Sequence, residues 1–182
     1  MMIDYQKISK AIQYYKNLGY QELEVPWIVS EDIIRITLPP NGTFVSTSLG
    51  ILVASAEQSF LDKKRTSNVV GKFQATTPCF RDEIEDELHQ KYFMKTELFI
   101  NDVVSKDNLE KVISDCSNFF SQFLTVKVIK TGDLQYDIVD VVNDIEIGSY
   151  GIREDKVIGK WIYATACAEP RLSTAMRKSY RV

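Results

Sequence analysis

Two stretches, Lys72 to Phe80 and Tyr92 to Ile100, flank a short acidic loop and constrain this chain more than any other feature. They read as antiparallel strands with the turn at Glu85 to Leu88. Side chains alternate along a strand, so Arg81 and Glu83 share one face. Phe93, on the returning strand, can lie across from them. His89, Phe93 and Glu97 follow at intervals of four. This set suits a nucleotide: a guanidinium for phosphate, a carboxylate for an exocyclic amine, a ring for the base. The competing reading is an exposed hairpin whose surface ion pairs contribute only ~0–1 kcal/mol each.

The rest of the chain supplies helices and further strands. Ile8, Ala11, Ile12, Tyr15 and Leu18 recur at helical spacing, which predicts a helix over Ile3 to Leu18. Gly19 stands where a left-handed residue commonly ends a helix. Tyr20 to Val25 alternates as a strand and stops at Pro26. Pro39-Pro40-Asn41-Gly42 reads as the tip of a hairpin between Ile34 to Leu38 and Thr43 to Ser48. Ala54 to Gln58 begins a helix, with Ser55 and Gln58 as a capping box. Asp107 to Leu124 is the clearest helix, capped by Asp107 with Glu110 and striped by Leu109, Val112, Ile113, Cys116, Phe119, Phe120 and Phe123. Val126 to Ile129, Tyr136 to Val142, Ile145 to Arg153 and Val157 to Ala168 read as strands joined by short turns. Glu169-Pro170-Arg171-Leu172 then opens a last helix, with proline in its first turn. The expectation is an α+β domain: a mainly antiparallel sheet flanked by helices.

Phe80-Arg81-x-Glu83, a loop, then His89, Phe93 and Glu97 resembles motif 2 of class II aminoacyl-tRNA synthetases. Thr77-Pro78-Cys79-Phe80-Arg81 is most similar to the seryl branch. The N-terminal helix, Gly19-Tyr20, strand and Pro26 resemble motif 1, which in that family lies at a homodimer interface. The strand leading to Glu169-Pro170-Arg171-Leu172 resembles motif 3, except that Ala164, Ala166 and Ala168 stand where glycines are usual. Each added methyl is expected to narrow the floor of the nucleotide pocket. Ser55-Ala56-Glu57 resembles the family's Thr-x-Glu loop. Glu146-Ile147-Gly148-Ser149-x-Gly151-Ile152-Arg153-x-Asp155 resembles the strand before motif 3, in wording closer to ammonia-dependent asparagine synthetase and the aspartyl and asparaginyl synthetases.

The resemblance implies a class II synthetase catalytic fold over residues 1–182, one domain without an anticodon-binding domain, with ATP and Mg2+ as cofactors. Arg81 would bind the α-phosphate and the reacting carboxylate, and Glu83 the adenine amino group. Phe93 would stack on the purine, Arg171 would cover it or hold the γ-phosphate, and His89 would approach the outer phosphates. Glu146, joined by Glu97, would bind magnesium through oxygen. Ser55, Glu57, Ser149 and Arg153 would hold the substrate acid, although Arg153 reads equally as closing a hairpin with Glu154 and Asp155. A homodimer through the N-terminal helix and strand is implied as well.

Composition sets limits. No apolar run approaches the ~20 residues that span a bilayer, and no charged-then-apolar leader opens the chain, so a cytoplasmic protein is expected. The three cysteines, Cys79, Cys116 and Cys167, sit in apolar contexts as reduced thiols. With one histidine and no Cys-x-x-Cys, a structural zinc site is not expected. A net charge of −3 is poorly suited to a phosphate backbone; the basic residues cluster only at Arg171, Arg177, Lys178 and Arg181. This argues against a conventional tRNA-charging enzyme acting alone. Open readings are adenylate formation from an amino acid or other carboxylic acid, with transfer to a small or protein acceptor; a non-catalytic binding or regulatory module; a minimal synthetase needing a tRNA-binding subunit; and an unrelated α+β domain.

Overall fold

The computed structural model describes residues 2–82 and 84–180. Its helices are α1 (Tyr5–Asn17), α2 (Glu31–Thr37), α3 (Ala56–Ser67), α4 (Lys106–Phe120) and α5 (Arg171–Ser179). Its strands are β1 (Gln21–Glu22), β2 (Ile28–Val29), β3 (Ser46–Thr47), β4 (Gly50–Leu52), β5 (Lys72–Phe80), β6 (Tyr92–Ile100), β7 (Val126–Gly132), β8 (Gln135–Asp140), β9 (Glu146–Asp155) and β10 (Gly159–Glu169). Seven strands form one sheet in the order β1-β5-β6-β10-β9-β8-β7. Only the short β1 runs parallel to its neighbour; all the other pairs in this sheet are antiparallel. A small sheet, β2-β4-β3, lies apart from it.

Alternation along the strands builds two cores. On one face Ile8, Ala11 and Tyr15 of α1, the stripe of α4 and Leu172 and Ala175 of α5 pack on Leu98, Ile147, Tyr150, Ile162 and Ala164. On the other, Ile33 and Ile34 of α2 and Ala56, Phe60 and Leu61 of α3 pack on Phe73, Phe99, Trp161 and Tyr163. Phe60 stacks on Phe99 with ring centroids 5.0 Å apart. Phe60→Ala therefore costs about 3–5 kcal/mol and lowers the melting temperature by roughly 10 °C in a domain of this size, measured by circular dichroism.

The expected hairpin at Ile34 to Ser48 is corrected by α2. Its β-branched residues suggest a strand, but Glu31 and Asp32 occupy the first turn, where negative charge suits the helix dipole. Arg35 reaches back to Glu31 at 2.6 Å, and burial of Ile33 and Ile34 overrides propensity. Pro39 and Pro40 end the helix, and the turn closes through Gly42 N–H to Pro39 O at 2.8 Å. In α4 the cap is Ser105, not Asp107: its side chain accepts from Asn108 N–H at 3.2 Å. The N-terminal strand shrinks to two residues because only Gln21 and Glu22 pair with β5. Gly19 does take a left-handed φ of 84° after α1.

Candidate active site

The second core covers only part of its sheet face. Phe93, Lys95 and Glu97 continue the alternation that ends in buried Phe99, so they share its face; Phe93 and Lys95 are partly exposed and Glu97 is buried against the start of α3. Arg81 follows the last β5–β6 pair, and its N–H donates to Lys91 O at 2.9 Å, which carries the ladder one residue further. Its guanidinium lies over the Phe93 ring, 5.1 Å from the centroid. Arg171, at the start of α5, donates to Glu146 O and to Leu88 O, each at 3.3 Å, and its guanidinium is 4.0 Å from the Glu146 carboxylate. Arg81 and Arg171, ninety residues apart in sequence, line one cavity of about 340 Å3 with His89, Phe93, Lys95, Glu146, Ser149, Thr165 and Ala168.

The loop bearing His89 is ordered by Asp86. The Asp86 carboxylate accepts from the N–H groups of Leu88 and His89 and lies 2.8 Å from His89 Nδ1. The His89 hydrogen bond, with the two amides, holds the Asp86 carboxyl at about 2. Glu83 and Arg181 lie outside the described residues.

A second cavity, of about 460 Å3, shares Arg81, Lys95, Ser149 and Thr165 with the first and adds Ser55, Glu57, Glu97, Arg153 and Tyr163. The four residues expected to hold substrate thus surround one space. Glu57 is buried, which pushes its carboxyl up; Arg153 and Trp161 act against that shift. Trp161 Nε1 donates to Glu57 Oε1 at 2.7 Å, and Arg153 pairs with Oε2. Arg153 lies 4.1 Å over the Tyr163 ring. Its ion pair therefore reaches across to α3 and not to Glu154 or Asp155. Ser55 caps α3 at Glu57 N–H and also donates to Glu97 at 2.7 Å. Gln58 reaches Ala54 N–H at 2.8 Å, one residue short of the reciprocal capping box.

Lys95 is the residue that reading the sequence missed. It lines both cavities and donates to Glu97 at 2.8 Å. Its position two residues after Phe93 on the same face was the available signal.

The alanines of β10 behave differently from expectation. Thr165 pairs with Glu97 and Cys167 with Thr96, so Ala166 is an extra residue in a β-bulge. The bulge resets the alternation: Ala164, Ala166 and Cys167 face the α1–α4 core, whereas Thr165 and Ala168 face the cavity. Only Ala168 narrows the pocket. The bulge is held by two buried hydroxyls, Tyr15 donating to Ala166 O at 3.1 Å and Tyr150 to Thr165 O at 2.9 Å.

The chemistry of the donors tests the implied magnesium. Glu97 does not fit, because Ser55, Lys95 and the Ala56 N–H already occupy its buried oxygens. Glu146 fits: its carboxylate is half exposed at the cavity rim. No group of three or more metal-ligating side chains occurs among the described residues. Cys79, Cys116 and Cys167 are buried free thiols, and burial pushes the Cys79 and Cys116 thiols up to about 12. No helix among the described residues is long and apolar enough to cross a membrane.

The antiparallel sheet flanked by helices is the class II aminoacyl-tRNA synthetase-like catalytic fold. Among solved structures, the chain is similar to the cytoplasmic serine-tRNA ligase of Naegleria fowleri in complex with AMP: TM-score 0.75, 16% identity, covering 96% of this chain and 53% of that one. It is also similar to seryl-tRNA synthetase of Pyrococcus horikoshii complexed with ATP: TM-score 0.71, 17% identity, covering 91% and 48%. The chain thus spans about half the length of these structures. No protein-family model matches it, and no curated protein matches it in sequence.

Proposed function

We propose that the chain binds ATP and uses it to convert an amino acid or related carboxylic acid to an acyl-adenylate. The observation that carries this reading is the position of Arg81: it lines both cavities, with Arg171 from the far end of the sequence beside it in the first. A carboxylate oxygen of the acid attacks the α-phosphorus, the bond to the bridging oxygen breaks, and pyrophosphate leaves. Arg81 neutralises the charge that develops at the α-phosphate, where both reactants meet. Phe93 stacks on the purine, Glu83 accepts from its amino group, and Arg171 with His89 takes the outer phosphates. Ser55, Glu57, Ser149 and Arg153 orient the acid. Glu146 would hold magnesium, which would supply further neutralisation of the leaving group. Holding the two reactants together in this way contributes much of the acceleration.

The acyl group then passes to a small or protein acceptor; the fold is equally compatible with a tRNA acceptor presented by a separate subunit. The N-terminal helix and strand are proposed as a homodimer contact. A second reading, a binding module without turnover, draws on Ala168, whose methyl lines the nucleotide cavity. Pyrophosphate exchange into ATP across a panel of amino acids separates the two. Exchange that depends on one acid is expected; ATP binding by calorimetry with no exchange for any acid selects the module instead.

A further inference from the structure

Four side chains meet beneath the first turn of α5, outside both cavities. Glu169, the last residue of β10, is fully buried. Its carboxylate accepts from Ser173 N–H at 3.2 Å, Ser173 Oγ at 2.7 Å and Asp4 N–H at 3.4 Å. Lys7 donates to Ser173 Oγ at 3.0 Å and pairs with Asp4, the cap of α1. Pro170 occupies the cap position of α5 and makes no side-chain cap bond. Glu169 takes over that role from one residue earlier, with its negative charge at the positive end of the helix. Burial pushes the Glu169 carboxyl up, and Ser173 and Lys7 oppose that shift. Arg171 stands between Glu169 and Ser173, so both flanks of the arginine are tied to one buried group.

We propose that Glu169 is a positioning residue: it fixes the start of α5 against α1 so that the Arg171 guanidinium is held at the cavity. The proposal rests on the reading of Arg171 as a ligand for the outer phosphates. Asp4, Lys7 and Ser173 complete the clamp.

Glu169→Gln keeps the volume but turns an amide NH2 towards donors that need an acceptor. ATP affinity is expected to fall about tenfold, as for the loss of hydrogen bonds to a charged group. AMP, which lacks the outer phosphates, should change by no more than about twofold, the scatter expected of independent sites. Arg171→Ala and the Glu169→Gln/Arg171→Ala double variant should bind ATP equally. An equal loss for ATP and AMP, or a double variant weaker than Arg171→Ala alone, overturns the proposal. A second measurement needs no nucleotide: amide exchange at Ser173 to Ala175 should quicken in Glu169→Gln while that of α4 holds. Unchanged exchange in α5 also overturns it. If the wild type fails to bind ATP, the proposed function falls and the exchange experiment alone decides the role of Glu169.

Discussion

Arg81→Ala lowers pyrophosphate exchange at least about a hundredfold, the scale on which removing one preorganised charge from a developing oxyanion acts. The melting temperature should hardly move, because Arg81 follows the last β5–β6 pair and belongs to neither core cluster. The neighbouring cations cannot take its place. Lys95 is bound to Glu97 at 2.8 Å, and Arg171 to two backbone carbonyls. The loss should fall on the rate of exchange more than on ATP affinity, since the charge that Arg81 meets grows in the transition state. Arg81→Lys should recover only part of it, because an ammonium cannot span two oxygens as the guanidinium fork does. Retention of more than about a tenth of the exchange by Arg81→Ala would remove the basis for the adenylate reading.

Gly148→Ala is expected to destabilise the protein by about 3 kcal/mol, the upper range for overpacking a filled core. That corresponds to a melting temperature roughly 8 °C lower. A Cβ at this position would lie 2.2 Å from Tyr150 Oη and 2.9 Å from Cζ. Tyr150 cannot swing aside: it is fully buried, and its hydroxyl holds Thr165 O at the bulge of β10. The clash therefore breaks a buried hydrogen bond beneath the site as well as crowding the core. Tyr150→Phe alone should cost about 1–2 kcal/mol by leaving that carbonyl unpaired. Combined with Gly148→Ala it should cost clearly less than the sum, because the atom closest to the new methyl is gone. Strict additivity in denaturant melts would show that the steric account is wrong.

The fold was legible wherever local pattern and tertiary environment agree. β5 and β6 begin and end where the sequence places them, because a turn between two alternating runs leaves one register. The stripe of α4 is buried as its spacing predicts, with Phe123 packed at its edge. The region from Ile34 to Ser48 failed because Ile33, Ile34 and Ile36 have β propensity, which packing in the core with Phe60 and Leu61 overrides. The cap of α4 was misplaced by two residues, since Ser105 and Asp107 both offer suitable oxygens. The site divides in the same way. Arg81, His89 and Phe93 lie close together in the chain and could be read as a group. The pairs of Glu57 with Arg153 and Trp161 span 96 and 104 residues, and no local pattern encodes contacts of that range. The resemblance to motif 3 put three alanines on the pocket floor; Ala164 and Ala166 stay in the core with Ile162, and the inserted residue turns only Ala168 to the cavity.

That inserted residue divides β10 into two addresses. Ahead of it, the side chains at Trp161 and Tyr163 and those at Ile162 and Ala164 answer to opposite layers of the protein; beyond it, the parity is exchanged. A mutational library built on simple odd–even alternation would send its changes at Cys167 and Ala168 to the wrong layer. Reshaping the cavity through this strand comes down to Thr165 and Ala168, while changes at Ala164 and Ala166 would be felt by the helices behind the sheet.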